Sequence, residues 1–339
     1  MECCRRIGRA EKGHFRRKRV KEEKRDATKL FVTPALLPEG SEERSLMDMR
    51  EWGRLITAMA TPFDAALDVN YTEAAAFAKK LVAEGSSALV IGGTTGEAPT
   101  LSEEEKCRLF RAVKEAVSVP VIAGIGTNCT RSTVAMGKKA AECGVDGVLV
   151  VVPYYNKPPQ QSLYEHFKVV AEEVKLPVML YNVPGRTSCN LASETAAALS
   201  RVPGIVALKE ASGDLEQTTR VLRDARKGFS VYTGDDPLTI PTLAVGGYGV
   251  VSVAAMIAGP RMKRMIDAFC AGNVTEAATI HQELAELIKA LFVTTNPIPV
   301  KAALTLLGIP VGGHRLPLTG ATPEVVETLR AALGKLGLL

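Results

Sequence analysis

Residues 205–212 read Ile205-Val206-Ala207-Leu208-Lys209-Glu210-Ala211-Ser212. An apolar run delivers an amine to the point where a strand ends. An amine held in such a pocket loses hydration, which lowers its pKa and leaves more of the neutral nucleophile that a Schiff base needs. Taken alone, the run fits a lysine snorkelling from a barrel strand equally well. It has seven counterparts. Short β-branched segments at 55–63, 88–93, 120–126, 147–153, 177–184, 205–212, 229–236 and 248–255 alternate with longer stretches of helical period. In one such stretch Leu109, Phe110, Val113 and Val117 carry the period, and Ser102 precedes Glu103, Glu104 and Glu105 as a cap with acid in the first turn. Strands alternating with helices imply parallel pairing through helical crossovers. Eight units between residue 51 and about residue 271 predict an α/β fold, a closed (β/α)8 TIM barrel, in preference to an open doubly wound sheet with fewer strands.

Three further helical stretches, 273–293, 297–308 and 323–337, are punctuated by Pro297, Pro299 and Pro310. Proline is tolerated at helix starts and not inside, so residues 272–339 read as a small C-terminal helical appendage. Residues 1–50 show no sustained period and contain Arg16-Arg17-Lys18-Arg19, which predicts a disordered basic extension. A nucleic-acid arm and a transit peptide both fit the charge, although Glu2, Glu11, Glu22 and Glu23 are unusual for a transit peptide. A barrel whose own start lies near Met47 or Met49 fits as well.

The 339 residues carry net charge +5, but residues 1–25 hold 11 basic and 4 acidic side chains, leaving the rest at −2. The body therefore offers no electrostatic case for nucleic acid. Seven cysteines, an odd number without a Cys-x-x-Cys pair, read as reduced thiols of a cytoplasmic protein rather than as a zinc site. No apolar run approaches the roughly 18 residues of a membrane span.

In a barrel of this kind catalytic groups gather where strands end. The second strand runs into Gly92-Gly93-Thr94-Thr95-Gly96-Glu97, where glycines admit a ligand to the backbone and hydroxyl and N–H groups can hold a carboxylate; a polar turn reads the same way. The fourth strand ends in Pro153-Tyr154-Tyr155-Asn156 and the fifth in Tyr181-Asn182-Val183-Pro184-Gly185-Arg186-Thr187. A lone strand-end tyrosine is commonly an interface or core aromatic. Tyr181 and Lys209 nevertheless fall on consecutive strands, so their side chains can meet over the barrel mouth.

These segments, with Gly-Asp-Asp at 234–236, Gly-Gly-Tyr-Gly-Val-Val-Ser-Val at 246–253 and Asn-Pro-Ile-Pro-Val-Lys at 296–301, resemble the 4-hydroxy-tetrahydrodipicolinate synthase (dihydrodipicolinate synthase) family over residues 52–339. The resemblance implies a class I aldolase-type enzyme of lysine and diaminopimelate biosynthesis that joins pyruvate to L-aspartate-4-semialdehyde. Lys209 would form the pyruvate Schiff base, and Thr94 and Thr95 would hold the pyruvate carboxylate. Tyr181 would shuttle protons at the imine, with Thr94 relaying to Tyr155, whose counterpart in the family enters the neighbouring subunit's relay. A phenol with an ordinary pKa near 10 is a weak base alone, so a hydrogen-bonded relay is the way to use it. Arg186 would take the semialdehyde carboxylate in its planar fork. The stretch around Val251 would present a backbone carbonyl. A homo-oligomer follows from the relay, with a tetramer built as a dimer of dimers. No metal or organic cofactor is expected, because the iminium is itself the electron sink.

Arg186 and the doubled Thr94-Thr95 separate this reading from N-acetylneuraminate lyases and keto-sugar-acid aldolases, which must accept a long polyol. A non-catalytic barrel would have no use for Lys209, Tyr181, Tyr155 and Thr94 together. For regulation, the resemblance places a lysine-effector pocket at Ala98, Glu103, Lys106, Asn128, Ser132 and Tyr154. Lys106 stands where a histidine is expected and Ser132 where a glutamate is, which implies a crippled pocket unless Glu103 supplies the carboxylate.

Overall fold

The computed structural model describes residues 52–339, so the reading of residues 1–50 lies outside the described residues. Eight parallel strands, β1 (Leu55–Ala58), β2 (Ala88–Ile91), β3 (Val121–Gly124), β4 (Gly147–Val151), β5 (Val178–Asn182), β6 (Ile205–Glu210), β7 (Ser230–Thr233) and β8 (Gly249–Ser252), pair in sequence order. The barrel closes where β8 lies along β1 in the register Leu55↔Val250, Ile56↔Val251 and Thr57↔Ser252. The expected (β/α)8 TIM barrel is the observed fold.

All strand residues are buried apart from Val151, which is half-buried. Strands covered by helices outside and by packed side chains inside must be apolar on both faces, which is why each was visible as an apolar run. Ile56, Val90, Ile122, Leu149, Met179 and Val251 fill the interior. Trp52, 1% exposed, joins this cluster ahead of β1, and a Cβ on Gly147 at the start of β4 would come within 2.5 Å of its ring. A larger apolar cluster packs the strands' outer faces against the helices.

The paired strands are shorter than the apolar segments that predict them. Pairing in β1 stops at Ala58 and in β2 at Ile91, and the residues beyond these points form the loops at the barrel's C-terminal face. Helix Glu103–Ala116 starts with the expected cap: Ser102 Oγ accepts from Glu105 N–H at 3.1 Å, and Glu105 accepts from Ser102 N–H at 2.8 Å. Helix Ala255–Cys270 breaks its dihedrals at Ala258 before Pro260, whose ring cannot follow a regular turn. Helices Val274–Leu291, Ile298–Leu306 and Pro323–Lys335 complete the chain. Arg186 lies beyond the end of β5 on a one-turn helix, Pro184–Thr187, started by a proline that fixes φ at the first position.

Candidate active site

The strand register builds the centre of the site. Tyr181 on β5 is the direct partner of Lys209 on β6, and Lys209 in turn partners Tyr232 on β7. Both Tyr181 and Lys209 are 6% exposed, and the lysine Nζ lies 4.3 Å from the centre of the tyrosine ring. The amine faces the ring, and no hydrogen bond joins it to another of the described residues. Two carboxyls lie close enough to feel its charge. Burial raises the pKa of Asp235 and of Asp236, and in each the lysine pulls the other way. Asp236 is fully buried; it accepts from Ser252 Oγ and from the N–H groups of Val253 and Ala254 at 3.0 Å each, pinning the end of β8 to β7.

The next residue, Glu210, faces the opposite side of the strand. Its carboxylate accepts from Asn182 Nδ2 at 3.0 Å, from Gln217 Nε2 at 3.1 Å and from Ser212 N–H at 2.8 Å. Burial raises its pKa and these donors oppose the rise. This buried network fixes the β5 and β6 ends and thereby the backbone that carries Tyr181 and Lys209.

A cavity of about 270 Å³ has a wall that includes Thr94, Tyr181 and Arg186. Tyr181 touches both this space and the Lys209 amine. Thr95, 4% exposed, follows Thr94 in the same turn and accepts at Oγ1 from Asn296 Nδ2 at 2.9 Å. Arg186 Nη2 donates to the Asn296 carbonyl at 3.3 Å. Val251 is fully buried in the barrel interior.

Tyr155 stands apart. It is 88% exposed, has φ of +74°, and is not in the cavity wall, so a single chain does not bring it to Thr94. The suggested effector residues also divide. Ala98, Lys106 and Tyr154 line the same cavity as Arg186. Burial lowers the pKa of Lys106, and Glu103 opposes the shift. Glu103 itself is exposed and ion-paired with Lys139 at 2.5 Å. Asn128 accepts through its carbonyl from Asn156 at 2.9 Å, and Ser132 is exposed.

Sequence reasoning left Gly234, Glu97, Asn296 and Lys301 without roles, although the segments containing them stood out. A Cβ on Gly234 would approach Lys209 Cε to 2.8 Å and Ala211 Cβ to 2.7 Å. Lys301 carried a usable signal, a single charge within the apolar helix Ile298–Leu306, where a buried charge requires a partner. Among the described residues no cluster of side chains is arranged to hold a metal ion, and no helix is long and apolar enough to cross a membrane.

A parallel eight-stranded barrel with a buried strand-six lysine against a strand-five tyrosine that lines a cavity bearing threonine and arginine has the layout of a class I aldolase-type lyase. The chain belongs to the dihydrodipicolinate synthetase family, whose family model matches residues 51–336. It is 52% identical to the 4-hydroxy-tetrahydrodipicolinate synthase of Moorella thermoacetica over 291 residues, 85% of this chain and 100% of that one. It is 54% identical to the enzyme of that name from Cyanothece sp. over 294 residues, covering 86% and 100%. Among solved structures, a dihydrodipicolinate synthase from Cyanidioschyzon merolae with lysine bound superposes with a TM-score of 0.84 at 50% identity, covering 85% of this chain and 99% of that one.

Proposed function

We propose that the protein condenses pyruvate with L-aspartate-4-semialdehyde to give 4-hydroxy-tetrahydrodipicolinate through an imine on Lys209. The observation that carries this reading is the pairing of Lys209 with Tyr181, which itself lines the cavity that holds Thr94 and Arg186. The neutral amine adds to the keto carbon of pyruvate and water leaves, forming the imine. The methyl group then gives up a proton, and its electron pair moves into the iminium to make an enamine. The enamine carbon attacks the aldehyde. The amino group of the second substrate then adds to the imine carbon, closes the ring and returns Lys209 as a free amine. Tyr181 handles the protons at the imine centre, Thr94 and Thr95 hold the pyruvate carboxylate, and Arg186 takes the carboxylate of the semialdehyde. The backbone at Val251 offers its carbonyl to the bound intermediate.

The exposure of Tyr155 supports the oligomeric part of the proposal. A large aromatic held out in the left-handed region is explained if a second copy covers it and takes it into its own Thr94 relay. A dimer is then the smallest complete unit, and a dimer of dimers the assembled enzyme, working in the cytoplasm with its cysteines as thiols.

Treatment with pyruvate and borohydride, followed by mass analysis of intact protein and peptides, tests the nucleophile. One reduced adduct on the Lys209 peptide is expected. Lys301, also buried but ion-paired with Glu97, serves as an internal control and stays unlabelled. An adduct on any other lysine, or higher turnover of N-acetylneuraminate or a keto-sugar acid than of pyruvate with semialdehyde, overturns the assignment.

A further inference from the structure

The two elements assigned to the substrate carboxylates, the turn at Thr94 and Thr95 and the helix bearing Arg186, are fastened to one segment that lies beyond the barrel in the chain. Asn296 is 5% exposed and serves both. Its side-chain amide donates to Thr95 Oγ1 at 2.9 Å, and its carbonyl accepts from Arg186 at 3.3 Å. Further along the chain, on helix Ile298–Leu306, Lys301 enters behind the same turn. Its Nζ donates to Glu97 Oε1 at 3.0 Å, to the Thr61 carbonyl at 3.2 Å and to the Gly313 carbonyl, and it lies 4.3 Å from the centre of the Phe63 ring. Glu97 Oε2 accepts from Arg315 N–H at 3.2 Å, while Thr61 Oγ1 donates to the Gly96 carbonyl at 2.7 Å. Three successive residues of the turn, Thr95, Gly96 and Glu97, are thus each held from outside β2.

The side chains of Lys301 and Glu97 are 1% and 0% exposed. A buried ion pair is weak evidence for stability, because the cost of removing two charges from water offsets most of their attraction. Its firm consequence is geometric, since neither charge can move without stranding the other. The turn requires such a restraint. Glu97 has φ of +56°, a left-handed conformation that a side-chain-bearing residue keeps only when its surroundings over-determine it.

We infer that Lys301, Glu97 and Asn296 are positioning residues, through which the C-terminal segment sets the place of Thr94 and Thr95 for the pyruvate carboxylate. None of the three needs to touch pyruvate. The inference rests on the proposed roles of Lys209 and the two threonines. It gives the charged pair a purpose other than stability: preorganising hydrogen-bond donors so that pyruvate binds without first ordering the loop.

The test is a pyruvate titration trapped with borohydride in the absence of semialdehyde, so that only the first half-reaction is read. It compares the wild-type chain, the double variant Lys301→Met with Glu97→Gln, and Asn296→Ala, each with its melting temperature. Removing both charges avoids leaving one of them buried alone. The expected result is a half-saturating pyruvate concentration raised by about tenfold or more in both variants, with the limiting adduct still one per chain on Lys209. A merely structural role would shift melting without shifting half-saturation, and wild-type half-saturation in the variants would overturn the inference. If the double variant does not fold, Asn296→Ala decides by the same criterion. A wild-type chain that forms no adduct refutes the Lys209 assignment instead, so the two failures are distinguishable.

Discussion

Tyr181 and Lys209 are register partners on adjacent strands, with the lysine Nζ 4.3 Å from the centre of the tyrosine ring and no hydrogen bond between the two side chains. The ring's face packs the amine while its hydroxyl remains free to serve the imine carbon. The phenol's two jobs are therefore separable. Tyr181→Phe keeps the packing surface and removes only the proton carrier. Its kcat should fall by about a hundredfold, a usual share for a general acid–base group, while the borohydride adduct on Lys209 still reaches one per chain. Loss of the adduct would show that the hydroxyl is needed to activate the amine.

Arg186 separates the two substrates. It lies on its own one-turn helix and reaches back to the Asn296 carbonyl rather than to Lys209. Arg186→Ala should leave pyruvate trapping on Lys209 within about twofold of wild type. The KM for the semialdehyde should rise by about a hundredfold, the loss expected of a charge-assisted bidentate contact. A parallel loss in the pyruvate titration would mean that the arginine serves the first substrate.

Gly234 keeps open the space that the Lys209 side chain occupies. A methyl group there would come within 2.8 Å of Lys209 Cε and 2.7 Å of Ala211 Cβ, so the lysine must swing and the backbone must shift. Gly234→Ala should therefore lower the rate of adduct formation by about a hundredfold, the effect of roughly an ångström of misplacement at a reacting group. The far-ultraviolet circular dichroism should be unchanged. Trapping at the wild-type rate would show that Lys209 has a second productive rotamer.

The barrel was legible because its strands are buried on both faces, which turns each into a short apolar run bounded by polar turns. Lys209, Tyr181 and Arg186 could be read for the same reason, since polar groups at the ends of such runs stand out. Strand ends were overestimated because the loops that leave the barrel stay apolar: Val183 continues the run of Tyr181 and Asn182 but already precedes the helix begun by Pro184. The supports of the site were not legible. Glu97 and Lys301 are 204 residues apart, and a pairing over that distance leaves no local spacing to detect. Gly234 reads as an ordinary turn glycine until the lysine beside it is in place. The reading of Glu103 as a spare carboxylate fails to account for Lys139, a helix away, which already holds it.

Stability should respond to acid through His166. Its Nδ1 meets Thr130 Oγ1 at 2.9 Å, its Nε2 is buried without a partner among the described residues, and burial pushes its pKa down to about 4. The unfolded chain takes up this proton near the ordinary histidine value of about 6.5, so the contribution is full above that pH and drains away as pH falls toward about 4. The shift corresponds to about 3 kcal/mol at most. His281 and His314 are pushed down by burial in the same sense, whereas the raised carboxyls Glu210, Asp235 and Asp236 act oppositely. The comparison with His166→Gln isolates the one group. Between pH 7 and pH 4 the variant's melting temperature, measured by calorimetry, should fall less than that of the wild-type chain, and equal slopes would refute the assignment.

Inhibition by lysine should be weak or absent. A free amino acid held in a half-buried pocket needs its ammonium paired, and an unpaired buried charge costs several kcal/mol. Lys106 places a second cation in the cavity wall beside Tyr154, and Ser132 is exposed with only a neutral hydroxyl to offer. Glu103 is paired with Lys139 on the outer surface. The measurement is an L-lysine titration of activity at fixed pyruvate, with calorimetric binding alongside. Half-inhibition should lie above about 0.1 mM, which corresponds to a binding free energy no stronger than about −5.5 kcal/mol. Lys106→His combined with Ser132→Glu removes the like charge and supplies a carboxylate, and should lower the half-inhibiting concentration by about tenfold or more. If the unmodified chain is instead inhibited below that limit, Glu103→Ala identifies the source: loss of inhibition would show that lysine displaces Lys139 from Glu103, and unchanged inhibition would place the ammonium elsewhere.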